Sequence, residues 1–139
     1  RIEENVMMID IFLKQEMERG RLATTFTSTS RRIAIHGHCH QKALFGTQAM
    51  TSILGHVADL CVQEINSGCC GMAGSFGYEK EHYDVSLRIG EASLMPAVRA
   101  ADAETTIVAC GFSCRHQIKD MTGRDARHWV ECVRGEGAG

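Results

Sequence analysis

No run in the 139 residues approaches the roughly 18 consecutive apolar residues that a membrane span requires, and the start carries no basic segment leading into an apolar signal core. The sequence therefore predicts a cytoplasmic protein, at most peripheral at the inner face of a membrane through its partners. Charge of one sign is missing too. Fifteen Lys and Arg against 17 Asp and Glu leave a net charge of −2, which offers no electrostatic footprint for nucleic acid. Arg31 and Arg32 form the only basic pair inside the presumed core segment and read as a solvated strand entrance. Neither the G-x-G-x-x-G nor the terminal G-K-[ST] spacing occurs, so nucleotide binding has weak support. The chain also lacks a C-x-x-C-x-x-C ferredoxin run and a recognisable flavin-binding segment.

What is present is an ordinary soluble composition in a length that suits one domain, residues 1–139, with 1–30 as an N-terminal helix and loop. The first residue is Arg and the last six are glycine-rich, so the sequence reads as an excised piece of a larger protein. Ile2, Val6, Ile9 and Leu13, widened by Met8, Phe12 and Met17, predict an amphipathic helix over 3–19, and the Thr/Ser segment 24–30 a loop. Three strand-loop-helix units follow. The first strand, 31–36, precedes a turn and a helix bearing Ala43, Thr47, Met50 and Leu54. The second, 57–65, leads through a glycine-rich loop to a helical face marked by Tyr83, Leu87, Gly90, Leu94 and Val98, which Pro96 should kink or restart. The third, 105–109, runs into a short helix that Gly123 can cap. A fourth short strand is expected near 127–130. This alternation predicts a Rossmann-like, three-layer α/β domain with a parallel sheet of about four strands flanked by helices. The loops beyond the strand carboxyl ends should then form the binding crevice.

Seven cysteines are an odd number, and their clustering favours metal binding or thiol chemistry over structural crosslinks in a reducing compartment. Cys69 and Cys70 are adjacent, and in an extended strand they would point to opposite faces. The flanking Gly68 and Gly71 permit positive-φ turns that bring both thiolates to one side, an arrangement that suits a multinuclear centre better than a single zinc. Gly68, Gly71, Gly74 and Gly77 recur every third residue. Their amides, above all those of Gly71 and Gly74, could cradle an anion or cluster sulfides, or the loop could simply pack tightly. Cys39 ends the first unit's strand. Cys114 should open a helix, where free N–H groups favour the thiolate. Cys110, His38 and His40 are further metal candidates, with the histidines open to a supporting or proton-donating role instead. Cys61, Cys132, His116 and His128 read as bystanders or structural groups.

The segments HGHCHQKAL, SGCCGMAGSFGYEKEHYDVSLRIGE and GFSCRHQI together resemble the cysteine-rich CCG domain family. That family includes the cysteine-rich subunit of heterodisulfide reductase, the iron-sulfur subunits of glycolate oxidase and anaerobic glycerol-3-phosphate dehydrogenase, and the C-terminal parts of FAD-linked oxidases. The likeness covers roughly residues 31–132, and the central block is most similar to the FAD-linked oxidase branch. The family pattern is a lone cysteine, a CCG and a later C-x-x-C. Cys39, Cys69-Cys70 and Cys114 match it, whereas the first cysteine of C-x-x-C would fall on Gly111, one position beyond Cys110.

The resemblance implies an iron-sulfur cluster, or zinc, held by Cys39, Cys69, Cys70 and Cys114, and a role in electron transfer or disulfide handling. FAD and a ferredoxin-like domain would belong to the parent protein or its subunits, with a quinone or another protein as acceptor. Alone, such a domain should not oxidise a hydroxy acid. Two other functions stay open at this point: a zinc-binding or metal-free docking module without redox role, and thiol–disulfide exchange at the Cys69-Cys70 pair.

Overall fold

In a computed structural model of the chain, residues 2–136 are described. Four parallel strands form the central sheet: β2 (Arg32–His36), β3 (Cys61–Glu64), β4 (Thr106–Ala109) and β5 (Ala126–Arg127), in the order β3-β2-β4-β5. The remaining elements are α1 (Ile2–Asn5), α2 (Ile9–Glu18), β1 (Thr25–Thr27), α3 (Cys39–Leu44), α4 (Gln48–Gly55), α5 (Tyr83–Glu91), α6 (Leu94–Ala100), α7 (Phe112–Thr122) and β6 (Arg134–Glu136). Because strand side chains alternate, each strand feeds two layers. Ala34, Ile107 and Ala109 pack with Leu94, Met95 and Val98 of α6 and with Cys114 and Ile118 of α7. Ile33, Ile35 and Val108 pack on the other face with Met50, Ile53 and Leu54 of α4, Trp129 and Cys132, covered in part by Leu13 and Met17 of α2. The expected three-layer α/β arrangement is the observed one. Among the described residues no helix is long and apolar enough to cross a membrane.

Several boundaries differ from expectation, each for a local reason. The helix predicted over 3–19 is two helices. Asp10, buried in the first turn of α2, accepts from the Ile11 amide at 3.0 Å and from Gln41 Nε2 at 3.2 Å. Ile2 and Val6 find no cover and stand 82% and 70% exposed, so the apolar stripe has nothing to bind at its outer end. The helix after β2 breaks at Gly46, whose φ of +74° reverses the chain between α3 and α4. The second strand shortens to Cys61–Glu64 because a turn through Asp59 (φ +59°) occupies the residues before it. Pro96 marks a restart rather than a kink: α5 ends at Glu91, and Pro96 lies in the first turn of α6, where its missing N–H costs nothing.

Segment 24–30 is not wholly loop, since β1 pairs antiparallel with β6, a partner from the far end of the chain that local pattern does not reveal. The glycine-rich end is thus strand through Glu136; Arg1 and residues 137–139 lie outside the described residues. The fourth strand is two residues, Ala126–Arg127, and the segment after it is a 3₁₀ turn, Trp129–Cys132, capped by the His128 ring accepting from the Val130 amide at 3.2 Å. Gly123 caps α7 at φ +72°, as predicted.

Candidate metal centre

The chain leaves β2 toward β3 on one side and later enters β4 on the other, so the connections after β2 and β4 diverge. That divergence opens a crevice beyond their carboxyl ends. The turn after β2 carries His38 and leads into Cys39 at the start of α3, and the turn after β4 carries Cys110 and Gly111 and leads into Cys114 in the first turn of α7. Arg115 fixes the second turn by donating from Nη1 to the carbonyls of Ala109 and Cys110 at 2.9 and 2.8 Å. The loop after β3 folds over the same rim. Gly71 makes this possible at φ +97°, where a Cβ would lie 2.1 Å from the Ser86 carbonyl oxygen. Gln117 on α7 donates to Ser86 Oγ at 3.0 Å, tying the loop's support to the last helix.

At this rim the side chains of His36, Cys70 and Cys114 are all buried, and one ligand atom from each lies within 4.8 Å of the others. His36 Nδ1 is paired with Ser67 Oγ at 2.8 Å, while its Nε2 is buried without a hydrogen-bond partner. A fixed ring with one idle nitrogen is the arrangement a ligating histidine adopts. The neighbouring Cys114 thiol holds the Cys70 thiol well below the ordinary range, with His36 assisting, while Cys70 and burial push the Cys114 thiol up. Cys69 and Cys39 interact with this pair and with each other. Burial raises the Cys69 thiol, opposed by the Gly71 amide donating to its sulfur at 3.3 Å.

The other residues singled out from the sequence fall in different places. Cys110 turns to the opposite layer, its thiol 3.6 Å from Met50 Sδ, and burial pushes it up to about 11. His38 and His40 stand outside the buried trio, rings stacked at 6.3 Å and 12°. Gly74, at φ +70°, lines a cavity of about 460 Å³ with His38, Cys39, His40, Cys70, Ala73 and Ser113. The amides of Gly68 and Gly77 are taken by Ser93 Oγ and the Met72 carbonyl, so the four-glycine cradle is not built as a unit. Cys61 is exposed at the start of β3, and Cys132 is core. His116 is a surface group, bonded to Tyr78 Oη at 2.9 Å. The run from His36 to His40 offers three histidines as possible ligands, and His36, which sequence reading left behind the other two, is the one beside Cys70 and Cys114. Its parity with Ala34 in β2, on the α6–α7 face, is the signal that could have singled it out.

Comparison with known proteins gives dehydrogenases. The chain is 31% identical over 132 residues to D-2-hydroxyglutarate dehydrogenase of Escherichia coli (strain K12), covering 94% of this chain and 13% of that protein. The enzyme of the same name from Pantoea ananatis is 30% identical over 130 residues, 93% of this chain and 12% of its own. One subunit of the anaerobic glycerol-3-phosphate dehydrogenase of E. coli (strain K12) is 29% identical over 97 residues, 70% of this chain and 24% of that polypeptide. The chain thus spans about an eighth of the first two proteins and about a quarter of the third. No protein-family profile matches it, and no solved structure does.

Proposed function

We propose that this chain is the metal-bearing redox domain of a larger flavin-linked dehydrogenase acting on a 2-hydroxy acid or glycerol-3-phosphate, passing electrons to a downstream quinone or protein acceptor. The observation that carries the proposal is the buried group of His36, Cys70 and Cys114, one ligand atom of each within 4.8 Å of the others and His36 Nε2 without a partner, with Cys39 and Cys69 at the same rim. The relatives' names supply the substrate classes.

The donor set fits a thiophilic metal or an iron-sulfur cluster. Cys39, Cys69, Cys70 and Cys114 would hold it, joined by His36, and such a group supplies reversible one-electron uptake when bound. The protein's own part is to favour a thiolate at Cys70: the neighbouring Cys114 and His36 pull its thiol down, while Cys70 and burial push the Cys114 thiol up. Binding a cation to both sulfurs expels any proton left on the pair. Burial under α6 and α7 keeps water from both sulfurs. In this reading the flavin comes from a partner dehydrogenase, in the same polypeptide or another, and a ferredoxin-like domain continues the chain of carriers. Reductive titration of the anaerobically reconstituted chain tests the redox role: reversible one-electron bleaching of a visible band supports it, and a colourless, redox-silent metal protein refutes it.

One observation favours a second reading, a zinc module that only joins subunits. With Gly111 in place of a cysteine and Cys110 on the other layer, the set falls short of five thiolates. A colourless zinc protein in the same titration would point there.

A further inference from the structure

We infer that His38 supplies the donor missing from the turn after β4, its Nε2 standing where a cysteine at position 111 would place its side chain. This rests on the metal-centre reading above. A Cβ built on Gly111 would lie 2.4 Å from His38 Cδ2, 3.0 Å from His38 Nε2 and 3.0 Å from Cys114 Sγ. The imidazole and the Cys114 sulfur therefore flank one small volume, and that volume is free only because residue 111 lacks a side chain. A sulfur at 111 would extend from its Cβ into the space the ring fills.

The alternatives fail on position. Cys110 is committed to Met50 across the sheet. His40 lies outward of His38 in the stack and is exposed. His38 itself is half-buried, it precedes Cys39, and it lines the cavity that also touches Cys39, Cys70 and Gly74. Among the described residues no protein group hydrogen-bonds either nitrogen of its ring. Gly37 holds it in place: a Cβ there would meet Lys42 Cγ and Thr47 Cγ2 at 2.9 Å, so the turn that aims His38 inward needs a glycine.

Exchanging a thiolate for an imidazole has an electronic consequence. The neutral donor leaves one negative charge fewer around the metal, so an electron is accepted more readily, as when histidines replace cysteines at an iron of a two-iron cluster. Set beside His36, His38 would make this centre distinctly more oxidising than an all-cysteine counterpart.

The test uses the chain titrated with Co²⁺ in competition with a chelator, and separately reconstituted with iron and sulfide. Circular dichroism melting controls for folding. His38→Ala should weaken Co²⁺ binding by about tenfold or more, with the melting curve of the metal-free protein unchanged. The double variant His38→Ala, Gly111→Cys should recover binding, add intensity to the sulfur-to-cobalt charge-transfer band, and lower the reduction potential of the iron-loaded form. Wild-type affinity and spectrum in His38→Ala, or a double variant that recovers nothing, would overturn the assignment while leaving the centre standing. A wild-type chain that takes up neither Co²⁺ nor iron and sulfide would overturn the centre and this assignment with it.

Discussion

Cys110, just before α7, and Cys114, in its first turn, face opposite layers of the sheet: the first turns its thiol to Met50 Sδ at 3.6 Å, while the second lies with Cys70 and His36 in the other layer. Substituting serine at each should therefore give different failures. Cys114→Ser should lose most of the bound metal. Cys110→Ser should keep it and lose about 1–3 kcal/mol of stability, since a hydroxyl replaces a thiol in an apolar layer. Metal analysis beside denaturant unfolding separates the two, and equal metal loss would place Cys110 in the centre.

The same thiol makes stability depend on pH. In the folded protein burial lifts Cys110 from about 9 to about 11, so between these values the unfolded chain has lost a proton that the native one still holds. Stability must then fall as pH rises through that window and be fully present below it. Cys132, also raised by burial, acts in the same direction. Unfolding midpoints from pH 8 to 11 should decline more steeply in the wild type than in Cys110→Ala, and parallel slopes would contradict the assignment.

Metal uptake should have its own pH dependence. The neighbouring Cys70 and burial oppose ionisation of Cys114, and a thiol must give up its proton to bind a cation, so affinity should rise by about tenfold per pH unit for each proton released. Chelator competition at several pH values measures this, and affinity flat with pH would mean that the pair is already fully ionised.

Gly71 and Gly74 both sit at positive φ, yet only Gly71 meets an obstacle, the Ser86 carbonyl. Gly71→Ala should cost more than about 2 kcal/mol, and Gly74→Ala about 1 kcal/mol. Equal losses in urea unfolding would mean that the loop does not depend on that close approach.

His36 is oriented by a single hydroxyl. Ser67→Ala should leave folding within about 1 kcal/mol and reduce metal affinity by about 10- to 100-fold, as loss of an orienting partner does. Unchanged affinity would show that the ring is held by packing alone.

Much of the fold was legible because three strand-loop-helix units repeat with clear periodicity, and strands of that kind place their following loops at one rim. The β1–β6 pair was not, since Thr25 meets Glu136 across nearly the whole chain. Helix breaks at Gly46 and after Glu91 depend on what each face can bury, which apolar spacing alone does not tell. Cys39, Cys70 and Cys114 could be placed near one another from their positions after strands. His36 was obscured by the neighbouring His38 and His40, although alternation along β2 sets it on the face of Ala34.

The most direct test of a metal centre in this domain is anaerobic purification followed by iron, sulfide and zinc analysis of the wild type and of Cys114→Ser, His36→Ala and Cys110→Ser. The expected result is broad visible absorption with near-stoichiometric iron in the wild type and Cys110→Ser, and its loss in the other two. A metal-free wild type with a reducible disulfide between site cysteines would contradict it.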